Sequence, residues 1–152
     1  MNETAPVARP QIVAWLGYGG LIPFLAFAVL TLVDRQRGVF WHGNLRAYAA
    51  VILSFVGALH WGLSMALVNI PPSQRNAMYA WSVVPCLIAF VSLVAPSVLG
   101  DLLLVSGFLV HYWRDVRLAA LAGLPAWYLP LRLRLSAVAI VCVAAGTVAT
   151  GW

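Results

Sequence analysis

Apolar residues run through this chain in five long blocks separated by short polar or proline-containing breaks. The blocks cover roughly residues 11–33, 47–69, 77–95, 98–112 and 131–152. A bilayer core needs about 20 apolar residues per helix, which four of the blocks approach or exceed and the fourth falls short of. Alternation of apolar and polar positions is absent, which argues against a membrane β-barrel. The breaks carry helix-stopping residues: Asp34-Arg35-Gln36-Arg37-Gly38, then Asn69-Ile70-Pro71-Pro72-Ser73, then Ala95-Pro96-Ser97. Residues 113–130 form the longest break and read as an interfacial loop. The pattern predicts an all-α polytopic integral membrane protein, a compact bundle of five transmembrane helices in one domain.

Composition sharpens this. Charged residues make up 9% of the chain and hydrophobic ones 63%, with a mean hydropathy of +0.93. A soluble domain carries about a quarter charged residues, so this chain lacks a surface for water. The net charge of +5 gives no sign of nucleic acid, because the arginines stand singly or in pairs beside apolar blocks. Cys86 and Cys142 fall inside spans and read as packing residues. The start of the chain is too weakly basic for a mitochondrial presequence, and the first block is too long for a signal-peptide core. Five spans place Arg9, Arg75, Arg114, Arg117, Arg132 and Arg134 on one side and Arg35, Arg37 and Arg46 on the other. The expectation is a multi-pass protein of a bacterial inner membrane, with its N-terminus cytoplasmic and its C-terminus periplasmic.

Polar residues inside apolar spans mark the candidate chemistry, since a histidine at membrane depth needs a partner, water or a ligand. On a helical wheel of the second span, Ala50, Ser54, Gly57, Ala58, His60, Trp61 and Ser64 gather on one side. Ile52, Phe55, Val56, Leu59 and Leu63 gather on the other. The small, polar side is expected to face the protein, as a packing seam or as the wall of a ligand site. In the fourth span Gly107, His111 and Asp115 follow at i, i+4 and i+8 on one face. Asp115 is placed to fix the tautomer of His111, or else simply caps a solvated helix end. A haem held by His60 and His111 between the two helices is an alternative. His42 reads as an exposed interfacial residue. Trp127 and Tyr128, between two prolines, read as interfacial anchors together with Arg132 and Arg134. The glycines and Pro23 of the first span predict a kink or close packing, and Pro85 does the same in the third. Cys142, Gly146 and Thr150 make a small-residue contact face in the last. Neither a catalytic constellation nor a complete metal-ligand set emerges.

These segments together resemble the transmembrane protein 69-like family of uncharacterised bacterial and mitochondrial membrane proteins, which share a domain of unknown function. The resemblance runs over most of the chain. It rests on Gly20-Leu21-Ile22-Pro23-Phe24, Tyr48, Ile52-Leu53-Ser54-Phe55, Gly57 and His60-Trp61-Gly62. It continues through Trp81-Ser82-Val83, Pro85, Asp115, Pro125, Trp127-Tyr128 and Leu131-Arg132. It implies a compact multi-helix inner-membrane protein and supplies no activity.

Three functional expectations follow. The first is a small scaffold or accessory subunit of a larger membrane complex, respiratory among others, or a homo-oligomer, with no enzymatic role. The second is a binder of haem, quinone or another amphipathic ligand on the inward face of the second helix, with His60, Trp61 and His111 lining the site. The third is a small transporter or proton-linked channel.

Overall fold

The computed structural model describes residues 9–151, which contain six helical segments and no strand. They are α1 (Gln11–Gly19), α2 (Ile22–Val33), α3 (Gly38–Ala66), α4 (Pro72–Val94), α5 (Ser97–Ala122) and α6 (Tyr128–Thr150). Because α1 and α2 form one interrupted span, the protein is an all-α bundle of five rods. The span from Gln11 to Val33 and helices α3, α4 and α6 are long and apolar enough to cross a membrane. At 26 residues α5 is also long enough, about 39 Å. Asp101, Arg114, Asp115 and Arg117 lower its apolar content.

The boundaries differ from the sequence expectation in two places. Residues 39–46 are helical, so α3 starts directly after a tight turn rather than near Ala47. Residues 113–122, expected in a loop, continue α5, which ends at Gly123 with φ +59°. Only glycine takes that left-handed conformation without strain. The physical reason is shared: both stretches carry polar residues that the hydropathy pattern assigned to water and the fold turns inward. Trp152, the end of the last expected span, lies outside the described residues, as do residues 1–8 and their reading as a non-cleaved start.

The break between α1 and α2 follows from Gly19-Gly20 and from Pro23, which sits in the first turn of α2. The hydroxyl of Tyr48 on α3 donates to the Gly20 carbonyl at 2.9 Å, satisfying a group the interrupted helix leaves open. At the other end, Trp41 Nε1 donates to Asp34 Oδ2 at 3.1 Å and the Arg37 amide to Asp34 Oδ1 at 3.3 Å. The Trp41 indole N–H, helped by the Arg37 amide, holds the Asp34 carboxyl below its usual range.

Helix α3 is the centre of the bundle and packs against α2, α4, α5 and α6. Its Leu45, Ala49 and Leu53 are fully buried with Phe24, Leu104, Phe108 and Val143. Large apolar side chains such as Val51, Phe55, Leu87, Phe90 and Val141 point outward, as lipid-facing positions do. The buried face mixes in small residues that let helices approach closely. A Cβ on Gly57 would lie 2.9 Å from the ring of Pro85 and 3.1 Å from the Ser82 carbonyl; one on Gly107 would lie 2.6 Å from Leu53. Gly57→Val is therefore expected to cost about 1–3 kcal/mol by overpacking. Gly62→Ala, where an added Cβ meets nothing within 4 Å, should not destabilise. Thermal unfolding of both variants in detergent checks the contrast.

Candidate functional site

The polar residues of the spans converge on two buried carboxylates, both on α5. Asp101 and Asp115 are 14 residues apart, so the two clusters lie about 20 Å from one another along the helix. Each sits near one end of the bundle.

At the first, Asp101 is 2% exposed. His42 Nε2 donates to its Oδ2 at 2.8 Å, Thr147 Oγ1 donates to the same atom at 2.8 Å, and Arg46 Nε stands 3.0 Å from Oδ1. Arg46 also donates through Nη2 to the Ser92 carbonyl at 2.5 Å, tying α3 to the end of α4. His42, expected at an exposed interface, is 2% exposed and faces Gly146 of α6. The loop assignment misled here, because α3 begins at Gly38 rather than near Ala47 and carries His42 and Arg46 inward one turn apart.

The second cluster is built around Asp115, which is fully buried. Arg132 Nε of α6 donates to Oδ2 at 2.8 Å; His60 Nε2 of α3 donates to Oδ1 at 3.0 Å, and Tyr128 Oη donates to Oδ1 at 3.3 Å. His111 Nε2 lies 3.7 Å from Oδ1, too far for a hydrogen bond. Its Nδ1 accepts from Trp81 Nε1 of α4 at 3.2 Å. An indole only donates, so His111 carries its proton on Nε2. The tautomer is set by Trp81 rather than by Asp115, as the sequence had suggested. His60 and His111 meet edge to face with centroids 5.0 Å apart.

The sequence candidates divide accordingly. Ser54, Gly57, His60, Ser64, His111 and Asp115 all lie on the protein side, though Ser54 only bonds back to the Ala50 carbonyl and Ser64 to that of Trp61. Trp61 does not face inward: it is 47% exposed and packs on Tyr79. Ala58 is also exposed, whereas Val56, assigned to lipid, is buried. With four helices around α3, its buried arc is wider than residue size suggests, and the large indole beside His60 turns to the outside. Arg132, expected as an interfacial anchor, is 7% exposed in the ion pair. Arg134 is exposed and donates to Tyr18 Oη at 3.2 Å. Arg46, Asp101 and Thr147 were not among the site candidates, and Trp81 entered only through the family resemblance; a lone aspartate at the start of an apolar block was the available signal for the first three.

His60, His111 and Asp115 offer ligand atoms within 4.8 Å of one another, a spacing a metal could use. Arg132 argues otherwise, since its guanidinium occupies one carboxylate oxygen and repels a cation. A macrocycle between His60 and His111 would have to separate two rings in contact. Asp115, Arg132, His60 and Tyr128 are better described as a hydrogen-bonded ion-pair network with His111 packed beside it.

Beside this network lies a cavity of about 340 Å³ between α1, α3 and α6, with Phe24 and Phe108 at its back. Leu16 and Phe55, on its wall, are 70% and 62% exposed, so it borders the lipid-facing surface. Its wall is apolar except toward Trp127, Tyr128, Arg132 and Ser136. Among the described residues, seven buried side-chain nitrogen or oxygen atoms lack a hydrogen-bond partner: Trp127 Nε1, Arg132 Nη2 and five more in the two carboxylate clusters. A smaller cavity of about 170 Å³ touches the other side of the network, lined by His60, Gln74, Arg114 and Arg117.

Residues 9–148 match the family described as protein of unknown function (DUF3429). Transmembrane protein 69 of Xenopus tropicalis is 30% identical over 140 residues, covering 86% of this chain and 51% of that protein. The chain thus spans about half the length of this relative. No solved structure matches it. With its helical membrane bundle and this match over nearly its whole length, the chain belongs to the DUF3429 family and is a multi-pass membrane protein similar to transmembrane protein 69.

Proposed function

We propose that this protein binds an amphipathic membrane molecule in the cavity between α1, α3 and α6. The observation that carries the reading is an apolar cavity of about 340 Å³ that borders the lipid-facing surface and is polar only toward Trp127, Tyr128, Arg132 and Ser136. A cavity of this size with a few convergent polar groups fits the usual form of a small-molecule site. An amphipathic molecule entering from the bilayer would place its tail against the apolar wall and its polar head toward Tyr128, Arg132 and Ser136.

The accessory-subunit reading rested on small-residue seams, and these are consumed inside the bundle: Gly57 meets Pro85, Gly107 meets Leu53 and Gly146 meets His42. The transporter reading needs mobile intramembrane charge, whereas Asp101 and Asp115 are each held in an ion pair with an arginine. Arg46 and Arg132 lie in these buried pairs. The remaining arginines still favour the side of the Asp115 cluster, with Arg9, Arg75, Arg114, Arg117 and Arg134 against Arg35 and Arg37. That excess supports a cytoplasmic location for the end beside the cavity.

Protein purified from its native membrane should retain a small amphipathic molecule at near-equimolar amount, detected by solvent extraction and mass spectrometry. Ser136→Phe, which projects a ring into the cavity from α6, should lose that molecule by tenfold or more while the fold persists. Equal retention by both proteins, or none by either, contradicts the reading.

A further inference from the structure

We infer that Arg114 and Arg117 hold the phosphate of an anionic lipid at the mouth of the smaller cavity. That cavity, about 170 Å³, lies between α3, α4 and α5 and shares no lining residue with the larger one.

The charge at this end of the bundle does not balance. Asp115 is taken by Arg132 through the 2.8 Å contact of Nε with Oδ2. Arg75 donates to the carbonyls of Ser64, Leu67 and Val68, where α3 ends and a cation is favoured. Arg114 and Arg117 have no such commitment. Among the described residues, neither stands within ion-pair distance of a carboxylate. The one polar contact of Arg114 is long, from Nη2 to the carbonyl of Ala77 at 3.4 Å, and Ala77 lines the cavity. Three residues apart, the two arginines share a face of α5, where like charges repel. A bound anion removes that repulsion.

Both guanidinium groups are already positioned. The Arg114 guanidinium carbon lies 4.9 Å from the centroid of the Trp81 ring, and that of Arg117 lies 3.8 Å from the centroid of Trp113. Stacking on a ring face leaves the N–H edge free, and that fork matches two phosphate oxygens. Gln74, also on the cavity wall, adds an amide donor.

Depth in the membrane names the source of the phosphate. Counted from Ser97, Arg114 and Arg117 lie about 26 and 30 Å along α5, close to the hydrocarbon thickness of about 30 Å. Lipid headgroups sit at that level, and tryptophans such as Trp81 and Trp113 mark it. A headgroup with net negative charge offsets the arginines, whereas the ammonium of a zwitterionic one adds a further cation.

The test is native mass spectrometry of the full chain in detergent, titrated with dioleoylphosphatidylglycerol, dioleoylphosphatidylcholine or inorganic phosphate. Dioleoylphosphatidylglycerol should bind saturably, roughly tenfold or more tighter than either other probe. Arg114→Gln/Arg117→Gln should lower its affinity roughly tenfold or more, and Arg117→Gln alone carries the same direction should the double variant fail to fold. Arg134→Gln, at an exposed arginine of α6, should not change it. Ser136→Phe should not either, so this site and the larger cavity fail separately. With two repelling charges gone, the lipid-free double variant should unfold at the parent's temperature or above it. A lower temperature with unchanged lipid affinity marks a structural pair and overturns the site. Equal binding of the two lipids, or an equal loss in Arg134→Gln, reduces the effect to general surface charge and overturns it too. Tighter binding of inorganic phosphate overturns the lipid as its source.

Discussion

Asp115→Leu is expected to destabilise the protein by about 3–5 kcal/mol, the cost of breaking a buried ion pair from one side. The carboxylate accepts from Arg132, His60 and Tyr128, which come from α6, α3 and the start of α6. Leucine fills a similar volume, so the loss is electrostatic: a guanidinium 7% exposed is left without its counter-charge, and His60 loses the acceptor for its Nε2 proton. The double variant Asp115→Leu/Arg132→Met removes both charges. Replacing a buried pair with apolar residues of similar size is often neutral or stabilising, so most of the loss should return. Thermal or denaturant unfolding of the single and double variants in detergent reads the difference. A double variant as unstable as the single one would show that the network holds the bundle by packing rather than by charge balance.

Gly100→Ala should disrupt the opposite end by about 3 kcal/mol or more. A Cβ at Gly100 would overlap the Arg46 guanidinium and the Ser92 carbonyl. A flexible arginine could swing away, but the carbonyl belongs to the α4 backbone and cannot. Either response costs: α4 moves off α5, or Arg46 leaves Asp101, where it now stands 3.0 Å from the carboxylate. Gly43→Ala, on the exposed face of α3 where an added Cβ meets nothing within 4 Å, should be neutral or gain about 0.5–1 kcal/mol through helix propensity. Comparable losses in the two variants would contradict the crowded junction at Gly100.

The bundle was legible because lipid requires long apolar helices, and five apolar blocks with breakers between them leave few alternatives. The face of His111 and Asp115 was legible too, since i, i+4 spacing fixes it within one helix. What stayed hidden was pairing between helices. His60 meets Asp115 across 55 residues, His42 meets Asp101 across 59, and nothing local specifies either contact. Arg132 shows why the hydropathy pattern misplaced residues near span ends. An arginine close to a membrane boundary satisfies the anchor rule whether it turns outward to headgroups or inward to a carboxylate. Trp61 fails for a related reason: the wheel sorted by size and polarity, while burial was decided by which helices surround α3.

A structure of the protein purified in native lipid is the direct test of the cavity between α1, α3 and α6 as a ligand site. It should show one ordered amphipathic molecule in the cavity, its polar end toward Tyr128, Arg132 and Ser136. A cavity closed by inward movement of α1, or filled by lipid tails with no polar atom at that end, would contradict it.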